Sequence, residues 1–350
     1  MASQLAERFN LPNAFNDLDE LLSRGQPDVI HITTPPQSHF DIARLSLEQG
    51  CHVYVEKPFT LCQADAQRLI DLAEKKSLKI TAGHDDQFRH VARRMRKLVN
   101  EGYLGGPPVH MESYYCYQLE GGDYAKALLA DKHHWVRHLR GGLLQNIISH
   151  GIARIAEFMT GEELKVIAHG FVSPGLRRRG EKSVVDEVRV IVSGNDGRTA
   201  YFTFSSQMRP SLHQFRIYGT KNGLLLDQDN ETLIKLRGKK YKLYLEQFVP
   251  PLSFAGQYFK NLAVNVRLFL ANDFHAKAGM YHLIKLFYDS IARGTPPPIP
   301  YQQILTTAFI MDEIFAQVSP ARAGGVETGP GPEESTCLSD PAELRQVGVE

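Results

Sequence analysis

Nothing in this 350-residue chain approaches the ~18 uninterrupted apolar residues of a membrane-spanning helix. The amino terminus also lacks the basic-then-apolar pattern of a secretory signal. Cysteine is sparse. Cys51, Cys62, Cys116 and Cys337 form no CxxC pair and no disulfide framework, which favours a reducing compartment. Excess charge is missing too: a formal net charge of +1 gives no general attraction for nucleic acid or anionic lipid. The chain therefore reads as soluble and cytoplasmic, with no nucleic-acid or membrane partner. His133, His134 and His138 have neither an HExxH glutamate nor a cysteine beside them, so no metal site is expected. The absence with the largest consequence is a glycine-rich phosphate loop, which stands nowhere upstream of the motifs described below.

What is present is patterned. Hydrophobic content of 43% and charged content of 23% are those of a globular protein, and the length predicts two domains. Apolar strands at 28–33, 51–55 and 78–82 alternate with helices at 38–49 and 65–76, with Asp17 a candidate N-cap and Gly50 a helix stop. Strands this apolar, joined by helices of about 12 residues, predict a parallel sheet covered on both faces. Beyond a helix at 91–100 and a strand at 109–117, one continuous helix is expected over 143–159. From 164 the period falls to two, over 164–171, 184–192, 198–205, 212–218, 223–226 and 233–236, and Gly194-Asn195-Asp196-Gly197 signals a hairpin. This predicts an antiparallel sheet. Helices follow at 255–270, 277–291 and 303–317, and the Gly-, Pro-, Glu- and Ser-rich stretch 321–350 reads as a disordered tail.

Two distant runs carry chemistry. Glu56-Lys57-Pro58 sets a lysine at the carboxyl end of a strand. Gly141-Gly142 opens the helix that holds Asn146 and His150, four residues apart on one face. A histidine and a lysine that converge can supply a proton acceptor and, beside it, a positive charge. His150 has the proton affinity for the first and Lys57 the charge for the second, while Asn146 can orient a hydroxyl. Two turns into its helix, His150 is expected to feel the helix dipole weakly. Taken singly, His150 also reads as a core histidine and Lys57 as a solvated strand-end lysine.

The order of these features resembles the glucose-fructose oxidoreductase / inositol dehydrogenase / rhizopine catabolism (Gfo/Idh/MocA) family. The matching residues are Thr33-Thr34-Pro35…His39, Glu56-Lys57-Pro58, Trp135…Arg137, the Gly-Gly-to-His150 helix, Tyr218-Gly219-Thr220-Lys221-Asn222-Gly223, and Pro296-Pro297-Pro298-Ile299-Pro300. The resemblance implies an NAD(P)-dependent oxidoreductase acting on a sugar, cyclitol or sugar derivative. It implies a Rossmann domain over 1–106, truncated by its first βαβ unit, and an α+β domain with an open, mostly antiparallel sheet over 107–320. A homodimer or homotetramer assembled through that sheet is implied as well. Cofactor contacts would come from Thr33, Thr34, Pro35, His39, Glu56 and Lys57, although Thr33, Thr34 and His39 read equally as turn and N-cap residues. Trp135, Arg137 and Asp85 would face substrate, Asp85 and Asp86 reading otherwise as a solvated loop.

The family commonly has Asp where this chain has Asn146, which puts any proton relay through that position in doubt. The missing unit would supply the pyrophosphate loop. Binding of NAD or NADP by the chain as written is therefore expected to be weak, and a start codon placed too late is the favoured explanation. A non-catalytic sugar- or nucleotide-binding relative is the competing reading.

Overall fold

β-branched and aromatic runs make the first sheet. In a computed structural model describing residues 2–318, apart from 117, 120–127, 160–162, 239 and 276, strands β1 (Val29–Ile32), β2 (His52–Val55) and β3 (Ile80–Ala82) pair in parallel, in that order. The register aligns Ile32 with Val55 and Val55 with Ala82, so the three carboxyl ends finish together. Two short helices, α1 (Ala2–Phe9) and α2 (Leu18–Glu20), precede this sheet, and the Asp17 side chain caps the second by accepting from the Glu20 N–H at 3.0 Å. Helices α3 (His39–Glu48) and α4 (Gln63–Lys75) make the crossovers, and Gly50 adopts φ 91°, the left-handed geometry of a helix stop. Val53, Val55, Ile80 and Ala82 are completely buried, as residues of a sheet covered on both faces must be.

Helix α5 (His90–Asn100) leads to β4 (His110–Cys116), the centre of the second sheet. Next come α6 (Gly142–Ile147), α7 (Ser149–Ala156), β5 (Leu164–Phe171), α8 (Pro174–Arg178), β6 (Glu187–Gly194), β7 (Thr199–Ser205), β8 (Leu212–Tyr218), β9 (Asn222–Asp227) and β10 (Thr232–Arg237). The sheet order is β10-β9-β8-β4-β7-β6-β5, antiparallel throughout except for the parallel β4–β7 pair. Period two is explicit on β6, where Val188, Val190 and Val192 are buried while Ile191 is exposed. The predicted turn at 194–197 joins β6 to β7.

Helix α9 (Leu245–Leu270) begins ten residues before the expected 255, running through Pro250 and Pro251. Helix α10 (Ala278–Arg293) packs Leu283 and Phe287 into the core of the first sheet. Helix α11 (Tyr301–Val318) joins both cores, with Ile304 in the first and Ile310, Ile314 and Phe315 in the second. The tail expected over 321–350 lies outside the described residues.

Candidate active site

The carboxyl rim of a parallel sheet is where doubly wound folds hold ligands. Here it carries Glu56 and Lys57 after β2, and His84, Asp85 and Asp86 after β3. Facing it are α6 and α7, which come from the other sheet's layer. The helix expected to be continuous over 143–159 is in fact two, broken at Ile148. Ile147-Ile148-Ser149 has low helical propensity and all three residues are buried, so packing decides the bend. His150 consequently stands in the first turn of α7 rather than two turns in, where the helix dipole disfavours a positive charge. Gly142 enters α6 at φ 53°, a left-handed geometry that glycine adopts without steric cost, and a Cβ on Gly151 would lie 2.5 Å from the Phe202 ring. That close approach seats α7 on the sheet and directs its neighbour His150 toward the rim.

Lys57 Nζ donates to the Asn146 carbonyl oxygen at 2.9 Å and thereby ties the first sheet to α6. Burial lowers the Lys57 pKa, partly opposed by Glu56, Asp85 and Asp86. His150 Nδ1 lies 3.9 Å from both Asp85 Oδ1 and Asp86 Oδ2. That is too long for a hydrogen bond, and neither Nδ1 nor Asp86 Oδ2 has a partner among the described residues. The His150 ring stacks 5.9 Å from Tyr115 and meets His84 edge-on at 5.9 Å. Burial drives the His150 pKa down to about 4, against Asp86 and aided by Lys57, Arg154 and His213. His84 is pushed to about 3 by burial and then by His150 and Lys57. The Asp85 carboxyl is raised to about 6, by burial and by the charges of Asp86 and Glu56. Burial opposes ionisation of Asp86 as well, but His150, Arg154, Arg89 and a hydrogen bond from Gln228 outweigh it and bring the pKa to about 2.

Arg154, 3% exposed, lies 3.7 Å from Asp86 Oδ2. Its guanidinium nitrogens otherwise find no hydrogen-bond partner among the described residues. Gln87 donates to the Ala153 carbonyl and to Glu157, holding the turn after β3 against α7. Asp85, Asp86 and His150 also offer ligand atoms within 4.8 Å of one another, the donor set for a divalent cation. Arg154, Arg89 and Lys57 already balance those carboxylates.

The other sequence-predicted residues are distributed unevenly. Thr33, Thr34 and Pro35 are exposed after β1, and Thr34 Oγ1 bonds Ser38 Oγ at 2.7 Å. His39 is buried with both ring nitrogens on backbone carbonyls, Pro58 at 2.9 Å and Thr34 at 2.8 Å, so it ties the two rim turns together. Glu56 accepts from the Lys57 N–H at 3.2 Å. Trp135 is half-buried against His134. Arg137 is engaged by the Leu128 carbonyl, Ser183 and Glu181, and lines a separate pocket with Arg140, Gly142 and Val184. Sequence reasoning missed His84, Arg154 and His213 as members of the cluster and left Asp86 between the site and a solvated loop. Arg154 had a signal, since it follows His150 by the same four-residue step as His150 follows Asn146; His213, arriving from β8, had none.

Two family models match the chain: "Oxidoreductase family, NAD-binding Rossmann fold" over residues 1–84, and "GFO/IDH/MocA C-terminal domain" over 92–225. An uncharacterized oxidoreductase of Synechocystis sp. is 24% identical over 247 residues, covering 65% of this chain and 62% of that protein. A D-glucoside 3-dehydrogenase of Escherichia coli is 29% identical over 104 residues, 30% of each chain. The chain thus spans less than two thirds of either relative. Among solved structures, a UDP-N-acetylglucosamine 3-dehydrogenase from Acidithiobacillus ferrooxidans superposes with a TM-score of 0.66 at 18% identity, covering 91% of this chain and 86% of that one.

Proposed function

Because the chain belongs to the Gfo/Idh/MocA oxidoreductase family, we propose that it is an NAD(P)-dependent oxidoreductase transferring hydride at a secondary alcohol of a sugar, cyclitol or sugar derivative. One observation carries the reading. Lys57 and His150, 93 positions apart, come within electrostatic reach of each other at the sheet rim, and the imidazole Nδ1 faces Asp85 and Asp86 without a hydrogen bond. The glucoside and UDP-sugar dehydrogenases among the similar proteins support the substrate class.

His150 is the proton acceptor. With Asp86 ionised at neutral pH, the tautomer carrying its hydrogen on Nδ1 is favoured, and Nε2 is then the basic nitrogen that takes the hydroxyl proton. The long Nδ1 separations tighten as substrate excludes water. Once Nε2 is protonated, the Nδ1 proton can pass to Asp85, 3.9 Å from that nitrogen and with a pKa of about 6. Lys57 supplies positive charge beside the nascent alkoxide, and Asn146 orients a hydroxyl. The donor set suits the nicotinamide-ribose end of the cofactor, since Thr33, Thr34 and Glu56 border the rim and offer hydroxyls and a carboxylate to its ribose and carboxamide. When bound, that group would accept or deliver the hydride. The exposed outer-face residues Ile167, Ile191 and Tyr201 favour a homo-oligomer formed through the second sheet. The buried free thiols Cys51 and Cys116 accord with a cytoplasmic setting.

His150→Ala tests the assignment. With a panel of hexoses, cyclitols and UDP-sugars, turnover should fall by about 10²–10⁴-fold while NADH affinity, read by fluorescence, stays unchanged. Unaltered turnover would remove His150 from the mechanism.

A further inference from the structure

Helix α9 turns its polar side inward. Gln257 bonds the Lys235 N–H and carbonyl at 2.7 and 3.3 Å, and Asn261 bonds those of Leu233 at 3.2 and 3.0 Å. These two amides close the open edge of β10, and Asn261 is the one fully buried residue of the helix. The outward face is apolar and ordered. Leu245, Phe248, Leu252 and Ala255 follow one another at spacings of 3, 4 and 3 residues, all exposed. Phe259, Leu262, Val266 and Phe269 continue the same alternation, with Leu252 75% and Phe259 73% exposed. More than three heptads of unbroken a/d apolar positions form a coiled-coil seam, and a seam of this kind is completed by a second helix.

We propose that this seam pairs with the same helix of a second copy of the chain, antiparallel, about a two-fold axis level with Gln257. In that register Leu245 meets Phe269, Phe248 meets Val266, Leu252 meets Leu262 and Ala255 meets Phe259. The smallest seam residue thus faces one of the largest, the alternation that fills a helix interface. Parallel pairing instead stacks Ala255 on Ala255 and Phe259 on Phe259, leaving a gap beside a clash. The antiparallel arrangement also opposes the helix dipoles, which parallel pairing would align. Seven large side chains exposing roughly 100 Å² each give on the order of 700 Å² per copy, close to the ~800 Å² that each partner contributes to a standard interface. A lone monomer rarely exposes more than about 300–600 Å² in one patch. A lipid surface fits less well, because an interfacial helix needs a basic solvated face and here the opposite face is committed to the sheet edge. This contact is distinct from the second-sheet face. If both operate, the assembly is a tetramer; with the helix seam alone it is a dimer.

Light scattering on the full chain reads the contact directly. Leu252→Asp combined with Phe259→Asp should halve the wild-type mass with the circular dichroism spectrum preserved. A monomeric wild type, an unchanged mass in the variant, or wild-type chain floating with phosphatidylserine–phosphatidylcholine vesicles would each overturn the proposal. Oxidative cross-linking fixes the direction and does not depend on the aspartate variant folding. In a Cys337→Ser background, Leu252→Cys with Leu262→Cys should give a covalent dimer, because the two positions lie about 15 Å apart within one helix and cannot bridge internally. Neither single cysteine should cross-link. A dimer from Leu252→Cys alone would mean parallel pairing and overturn the register.

Discussion

Asp86→Asn isolates one charge. The amide keeps the side chain's shape, and its oxygen still accepts the bond that Gln228 donates at 2.7 Å. What disappears is the only counter-charge among the described residues within ion-pair distance of Arg154, whose guanidinium is 3.7 Å away and almost wholly buried. At that separation and an effective dielectric of ~20 the attraction is about 4 kcal/mol. The acid–base linkage gives a second figure. Asp86 has its pKa depressed from 3.8 to about 2. Its stabilisation is therefore fully present above pH 3.8 and lost as pH falls through about 2, a difference of about 2 kcal/mol. The first figure counts attraction alone; the second is net of burial. Urea unfolding at pH 7 should accordingly show Asp86→Asn less stable by about 2–4 kcal/mol, a large share of the ~5–15 kcal/mol total of a folded protein. Adding Arg154→Met should recover part of that loss, because the orphaned cation leaves with the substitution. A variant as stable as wild type, or a double variant no better than the sum of its singles, would refute the pairing.

Two further outcomes follow from the same geometry. His150 has its pKa lowered to about 4, so the unfolded chain binds the extra proton first and stability falls as pH drops from 6.5 toward 4, by about 3 kcal/mol from this group. His84 acts in the same direction, while Asp85, raised to about 6, opposes both. His150→Gln should flatten the acid limb of a urea-midpoint profile between pH 7 and 4, and an identical slope would contradict the burial argument. Asn261→Leu should destabilise by about 2–4 kcal/mol in the same assay, because the Leu233 N–H and carbonyl lose their partners and Arg94 loses its acceptor at 3.0 Å.

Strands and the rim were legible because their signals are local. Period two marked β6 through its buried Val188, Val190 and Val192, and the glycine-flanked turn at 194–197 fell where β6 meets β7. Lys57 and His150 stood out by position, one ending a strand and the other four residues beyond Asn146. The rest of the cluster was not legible in the same way. His213 reaches the site from β8, and its part depends on the pairing of β8 with β4, which carries Tyr115 opposite it. The break at Ile148 is likewise a tertiary effect: propensity there is weak, and the choice between one helix and two falls to the cores on either side.

The same division explains α9. Reading inward a helix whose apolar residues recur every three or four positions assumes that the core is apolar where the helix meets it. Here the helix meets the edge of β10, and an edge presents bare N–H and carbonyl groups. An apolar side chain at 257 or 261 would bury those groups unpaired, at about 1–3 kcal/mol each. The polar stripe must therefore face the sheet, and the apolar stripe is left outside. Heptad spacing can be read from sequence alone, but the sense of the face is set by which groups the strand leaves unsatisfied. Substituting Gln257 and Asn261 should accordingly loosen the helix from β10 while leaving its seam residues intact.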